Sequence, residues 1–478
     1  MSIISQSERG ERKMKNRFWF NLCSLVVVLS LLATACARQA TEEAKPVVEV
    51  TEAPVEATQP PAPAEKVSIS FYFTPDEGSS SSCWMDNAIV PFNEQSETVF
   101  VDGVAQMNSW ETTRTALAGG AGPDVVMTPG PSFVYELVQA GQLLALDQFA
   151  ETYGWKDTFV DWALSLGEVE GKLYSLPAEL ETLVLYYNKT LFEKNGWQPP
   201  KTIDELWALA EKMQAAGVIP FAHSNADWRP ANEWHVGEFL NHVAGPEKVY
   251  EALTGKRPWT DPDFVKAIEL LNEAQQKGWF MGSLEMYYTS PWDDWHNALG
   301  KGEAAMNIEG TWSASDINEV YFSEENGGNE WDWIPVPSTS GKAIFDIGIG
   351  STWSINAASK HPEAVAEFFT YLFSPEVQTR LLVECGTAPA PVHLDAEAMV
   401  GVDARIARIF EEFGKASDAG DYGYTTWTFW PPKSDVYIYE EIEKVWANEI
   451  TPLEYLEGLD KLFQEEFKAG EIPPIPKR

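Results

Sequence analysis

The sequence predicts an α/β fold. Short β-rich runs and amphipathic helical runs alternate from Val67 onward, glycine-rich turns separate them, and several helices carry legible caps and stops. A largely parallel sheet follows from that βαβα rhythm.

Each element is justified in turn. "VSISFYF" (67–73) alternates and is β-rich, so it is a first strand. "SSCWMDNAIVPFNEQSETVFV" (81–101) reads as a helix and a second strand. "SWETTRTALAGGAGPDVVM" (109–127) reads as a helix, a Gly-rich turn and a short strand, Val125 to Met127. "SFVYELVQAGQLLALDQFA" (132–150) is a helix with Gly141 as its stop. In "GKLYSLPAELETLVLYYNK" (171–189), Leu183 to Tyr187 form a buried strand with Glu179 and Glu181 at its mouth. "TIDELWALAEKMQAAG" (202–217) is a helix capped by Thr202 and stopped by Gly217. "DPDFVKAIELLNEAQQKG" (261–278) ends at Gly278. "HPEAVAEFFTYLFSPEVQTRLLVECG" (361–386) is two helices broken at Ser374-Pro375. Two helices, within 434–450 and 452–470, close the chain. No internal repeat or long coiled coil is present.

A length of 478 residues suffices for two or three cores, and 13% aromatic residues fits a folded protein. Twenty tryptophans is a high count. Most are expected in the core and a minority in a cleft. A net charge of −38 repels phosphate backbones, which excludes nucleic acid as a partner.

The N-terminus reads as a targeting segment. Arg9, Arg12, Lys13, Lys15 and Arg17 precede an apolar run, Phe18 to Leu32, of signal-peptide length. Met14 is an alternative start. Leu32-Ala33-Thr34-Ala35-Cys36 resembles the lipobox of bacterial lipoproteins, with Ala33 where that pattern prefers Leu. The resemblance implies a signal peptide over 1–35, lipidation of Cys36 and anchorage to the outer face of the cell membrane. Residues 36–66 are rich in Glu, Pro, Ala, Thr and Val, with no aromatic and no Gly, and are read as a disordered tether. Of four cysteines, Cys23 leaves with the signal and Cys36 takes lipid. Cys83 and Cys385 remain, either as a disulfide or as two separate buried thiols.

Catalytic motifs are missing. His223, His235, His242, His296, His361 and His393 are scattered; HExxH and CxxC are absent, so no metal is expected. "GGAG" (119–122) lacks the Gly-Lys-Ser/Thr of a phosphate loop, and "GIGS" (348–351) is not a nucleophile elbow. Glu179 and Glu181 lie two apart on one strand face, about 6.5–7 Å by strand rise. Both stand on the same side of any ligand, whereas a glycosidase flanks the bond with its two acids. No enzyme and no cofactor is therefore expected.

Five runs carry a family resemblance: "GPDVVM" (122–127), "QAGQLLALD" (139–147), "GKLYSLPAELETLVLYYNKTLFEKNGWQPPKTIDELWALAEKM" (171–213), "GKGEAAMNIEGTW" (300–312) and "SKHPEAVAEFFTYLFSPEVQ" (359–378). In order along the chain, they resemble the extracellular carbohydrate-binding receptors of ABC importers, family 1, the maltose-binding-protein-like group. The resemblance implies a type II periplasmic-binding-protein fold of two discontinuous α/β lobes, with ligand held between them. Lobe one is expected at 67–178 plus 335–386, and lobe two at 179–334 plus 387–478. It also implies a monomer that closes by hinge motion and presents a surface to membrane permease subunits. The ligand is a mono- or oligosaccharide or glycoside. A polyamine, peptide or glycerol phosphate is the alternative, and a secreted glycosidase a further one.

Sugars need aromatics for their flat faces and acceptors for their hydroxyl rims. The resemblance places Glu181 on the sugar, seven residues before the Asn of Tyr-Asn-Lys, and leaves Glu179 to water or the hinge. Trp312, in the Gly-x-Trp turn, is implied to stack on sugar. Thr128 and Pro129 enter the cleft after "PDVV", where Asp124 is structural. Trp84 and Asp86 follow the first strand. Trp228 and Asp227 lie in a loop after "IPFAHSN", and Asp346 and Gly348 precede the "GSTWSI" strand. Within "YGYTTWTFWPP" (422–432), Trp427 or Trp430 is the late stacking residue. Thr128-Pro129-Gly130-Pro131 stands where the maltose binder has a Trp and charged residues, which argues against a maltodextrin.

Overall fold

The computed structural model describes residues 66–73, 83–106, 109–394 and 400–477. The expected signal segment, Cys36 and the tether up to residue 65 lie outside the described residues. The strands, in chain order, are β1 (Val67–Phe73), β2 (Val99–Ala105), β3 (Val125–Thr128), β4 (Glu168–Val169), β5 (Lys172–Leu173), β6 (Ser175–Pro177), β7 (Leu180–Glu181), β8 (Leu183–Asn188), β9 (Ile219–Phe221), β10 (Ala304–Gly310), β11 (Trp331–Ile334), β12 (Phe345–Ile349), β13 (Thr352–Ile355) and β14 (Tyr422–Tyr424).

The first sheet has the order β2-β1-β3-β13-β6. β1 runs parallel to β2 with Ile69 opposite Val101, and parallel to β3 at Phe71 and Val125. β13 returns antiparallel between β3 and β6. Its core holds Ile69, Phe71, Ile89, Phe92, Leu176, Trp353, Phe368 and Phe369. Burying each aromatic ring there contributes about 1.5–3 kcal/mol.

The second sheet, β11-β8-β10-β9, is covered on both faces. Every residue of β8 and β10 is buried, so both read as continuous apolar runs rather than alternations. Helices pack around them, including Ile203–Ala215, whose Thr202 and Glu205 form a reciprocal capping box. Ser374 caps Pro375–Cys385 just after Pro362–Leu372 ends, which accounts for the expected break.

Two strand passes join the two sheets. The outward pass runs from β6 through β7 to β8; the return runs from β12 to β13. They bond to each other: Ala178 N–H donates to Ser351 O (2.8 Å) and Gly350 N–H to Glu179 O (3.0 Å). β7 and β14 flank β12 in a third, three-stranded sheet.

Packing crosses the expected lobe boundaries. Phe345, Ile347 and Ile349 pack into the larger core, because β12 pairs with β14 and not with the first sheet. Ala390 and Val392 pack into the smaller core, where Val160 N–H donates to Pro391 O. Cys83 and Cys385 form a disulfide, with Cα atoms 5.7 Å apart. It ties the N-terminal turn of the segment before β2 to the end of helix Pro375–Cys385.

Candidate ligand-binding site

Glu181 stands where the two strand passes meet. β7 pairs it antiparallel with Gly348, and its side chain is 3% exposed. Burial pushes its carboxyl well above the usual range, and the nearby Glu179 carboxylate pushes it further. Glu179 is half-buried. The two glutamates thus interact where the strand passes meet, at the place expected for Glu179 if it faces the hinge rather than water.

Trp312 reaches the same region from the second sheet. Gly310 pairs with Leu183, and Thr311 N–H donates to Thr182 O at 3.0 Å, one residue from Glu181. The indole lies over Gly310, where a Cβ would come within 2.0 Å of Trp312 Cζ3. Behind the turn, the buried Glu309 carboxylate accepts from Ser313 Oγ (2.5 Å) and Asn307 Nδ2 (2.6 Å), and meets His296 Nε2 at 2.9 Å. That network fixes the turn that carries Trp312.

Three further tryptophans join it. The Trp312 ring lies 4.9 Å from Trp234 and 5.8 Å from Trp427, and Trp234 lies 6.4 Å from Trp292. Trp312 and Trp292 are half-buried, whereas Trp234 and Trp427 are buried. The sequence reading missed Trp234 and Trp292. The signal for them was the tryptophan count itself and "SPWDDWH" opening a helix directly after Pro291. Asp227, exposed, accepts from Trp292 N–H at 2.6 Å. Neighbouring Trp228 packs against both the larger core and a small cluster built on Trp110, Val126, Val134 and Leu137. It therefore bridges the larger core and that cluster. Helix Pro131–Gln139 packs beside this group: Ser132 Oγ donates to the Trp427 carbonyl at 2.9 Å, and Gly130 lies against Trp427.

Glu181, Trp312, Trp427, Asp227 and Trp228 are thus linked through contacts, while the other expected residues are placed elsewhere. Thr128 is fully buried; its hydroxyl donates to Gly130 O and also meets the Thr352 hydroxyl, which uses it within the turn. Trp430 is fully buried 5.1 Å from Trp259 in the core. Trp84 packs between Phe71 (5.7 Å) and Trp353 (5.4 Å) in the smaller core, and Asp86 is exposed beside it. Asp346 is buried against His242. Asp124 holds β3 to β1: it accepts from Ser70 N–H and Oγ, both at 2.8 Å, and from Ser359 Oγ at 2.6 Å. Burial raises its carboxyl, but these bonds outweigh that and hold it below the usual value.

The family model of bacterial extracellular solute-binding proteins matches residues 87–407. The chain belongs to that family. As a solute-binding protein it is similar to an uncharacterized ABC transporter extracellular-binding protein of Pyrococcus horikoshii, 26% identical over 60% of this chain and 63% of that one. It is also similar to an sn-glycerol-3-phosphate-binding periplasmic protein of Yersinia pestis biovar Antiqua, 29% identical over 46% of this chain and 49% of that one. The matches thus span from about half to less than two thirds of these relatives' own lengths. Among solved structures, one from work on xylan utilization by the thermophilic bacterium Caldanaerobius polysaccharolyticus superposes with a TM-score of 0.69. It is 22% identical, covering 83% of this chain and 100% of that one. The two-lobed α/β fold expected from the sequence is the fold of this solute-binding protein. Among the described residues no helix is long and apolar enough to cross a membrane.

Proposed function

We propose that this solute-binding protein captures a neutral sugar or glycoside between its lobes and delivers it to the permease of an ABC importer. One observation carries the reading: the half-buried Trp312, flanked by Trp234 and Trp427, follows a strand end whose Thr311 N–H bonds to the carbonyl of Thr182, the residue after the buried Glu181. An aromatic face suits the apolar side of a pyranose, and a carboxyl suits a pair of hydroxyls. Ligand hydroxyls would also compensate an acid whose burial is otherwise costly. The xylan context of the superposed structure agrees with this choice.

A phosphate ester such as glycerol phosphate is the weaker reading. It wants a free cation, and the arginine next to Trp228, Arg229, is committed to Glu440 (2.9 Å) and Glu443 (2.7 Å). The reading includes no turnover, and an extracytoplasmic location with Cys36 lipidated. The disulfide suits an oxidising compartment.

The test is a calorimetric screen of xylo-, chito- and gluco-oligosaccharides, monosaccharides, polyamines and glycerol phosphate. Saturable binding of at least one neutral sugar, without product release, is expected. Binding of glycerol phosphate or a polyamine alone would sink the proposal.

A further inference from the structure

A second buried polar cluster plays no part in the tryptophan cleft. Helix Asn232–Phe239 continues into a π-helical turn, Leu240–Ala244, and carries Glu238 and His242 one turn apart. Wide turns of this kind recur at functional sites. Asp346, on β12, faces them. All three side chains are at most 2% exposed.

The hydrogen bonding fixes the imidazole. His242 Nδ1 lies 3.0 Å from Val336 O. A carbonyl only accepts, so Nδ1 carries the hydrogen and Nε2 points the other way. Nε2 lies 3.1 Å from Glu238 Oε2 and 3.6 Å from Asp346 Oδ1. Nε2 and all four carboxylate oxygens lack an aligned hydrogen bond. A backbone carbonyl orienting one ring nitrogen, so that the other is presented to ligand-bearing acids, is how a metal-binding histidine is set.

Distances and charge agree. Zinc bonds of about 2.0–2.2 Å to nitrogen and oxygen make the edge of a tetrahedron about 3.3 Å. The two separations from Nε2 bracket that edge, and one ligand atom from each residue fits within a 4.8 Å span. Two buried carboxylates carry two negative charges when ionised, an imidazolium can offset at most one of them, and a dication would offset both. His242 also borders a cavity of about 400 Å³ whose wall includes Gly245, Pro246, Thr339, Lys342 and Asp421.

We propose that Glu238, His242 and Asp346 bind one divalent transition-metal ion of the zinc type. The mixed nitrogen and oxygen donors suit such an ion better than calcium or magnesium. The ion joins the helix to β12 two residues before Gly348, the partner of Glu181, and so braces one of the two strand passes between the lobes.

The test uses untagged, purified protein, stripped with chelator, loaded with Zn²⁺ and desalted. About one equivalent of zinc per chain and a raised Tm are expected. His242→Gln and Asp346→Asn, shown to be folded by circular dichroism, should each weaken zinc binding by roughly tenfold or more. X-ray absorption of the loaded wild-type protein should show a single imidazole in the zinc shell, and this decides the matter if the variants do not fold. Failure of the wild-type protein to retain stoichiometric zinc overturns the site and leaves a proton-bridged cluster. Retention of full affinity by either folded variant, or a shell with no imidazole or with several, overturns it equally.

Discussion

The Glu181 carboxyl rests on Gly350: an added Cβ at that glycine would stand 1.8 Å from Glu181 Cδ. Gly350→Ala must therefore push the carboxyl aside. The obstacle is the end of a flexible side chain, so the fold should persist at a cost of about 1–3 kcal/mol. Ligand affinity should fall as far as it does in Glu181→Ala, and the double variant should lose nothing more. Calorimetry on the three variants checks this. Independent, additive losses would show that Gly350 does not act through Glu181.

The pair Glu179 and Glu181 should behave asymmetrically toward ligand. Glu181→Ala is expected to weaken binding by tenfold or more, about 1.4 kcal/mol, and Glu179→Ala by less. Equal, negligible losses would return both to a structural role in the strand pass.

Glu181 also sets a pH dependence. Its folded-state pKa is raised by burial and by Glu179, so the ligand-free folded chain holds a proton that the unfolded chain has already released. Stability from this group is present below the ordinary carboxylate pKa and is lost as pH rises toward the folded value. Glu181→Gln should flatten that decline in a series of Tm measurements from acid to neutral pH.

Trp312 and Trp430 should separate binding from stability. Trp312→Ala is expected to abolish most ligand binding while leaving a folded protein. Trp430→Ala removes a fully buried ring packed on Trp259 and should cost about 3–5 kcal/mol. Urea unfolding and ligand titration of both variants give the comparison.

His223 and His235 lie ring to ring at 4.2 Å, both buried. Burial pushes both pKa values down, His235 to about 3 and His223 well below its usual value. The unfolded chain takes up protons below about pH 6.5 that the folded chain refuses, so stability falls as pH drops. Each histidine contributes about 1.4 kcal/mol per pH unit in that window. His235→Leu should reduce the slope of stability against pH between 6 and 4.

What the sequence disclosed follows from periodicity. β1 alternates, helix Ile203–Ala215 carries a capping box, and Ser374-Pro375 forces a break; each is a local signal. Glu181 was legible because it interrupts an apolar run with an acid. Trp234 was not, because every residue of its helix is buried and no polar face marks a period. Glu238 and His242 were hidden for the same reason, and Asp346 is brought to them only by tertiary packing. The pairing of β12 with β14 was not legible either, because β14 comes from near the far end of the chain.

The Cys83–Cys385 bridge bears on how the protein is made. Its cysteines stand 302 residues apart, and the strands of the second sheet all lie between them. Synthesis delivers Cys83 early and its partner only after 385 of 478 residues. The smaller lobe, begun first, is thus sealed after the larger sheet's strands have been made. Until then Cys83 is an unpaired thiol on a growing chain, and a product truncated before residue 385 is left with one permanently.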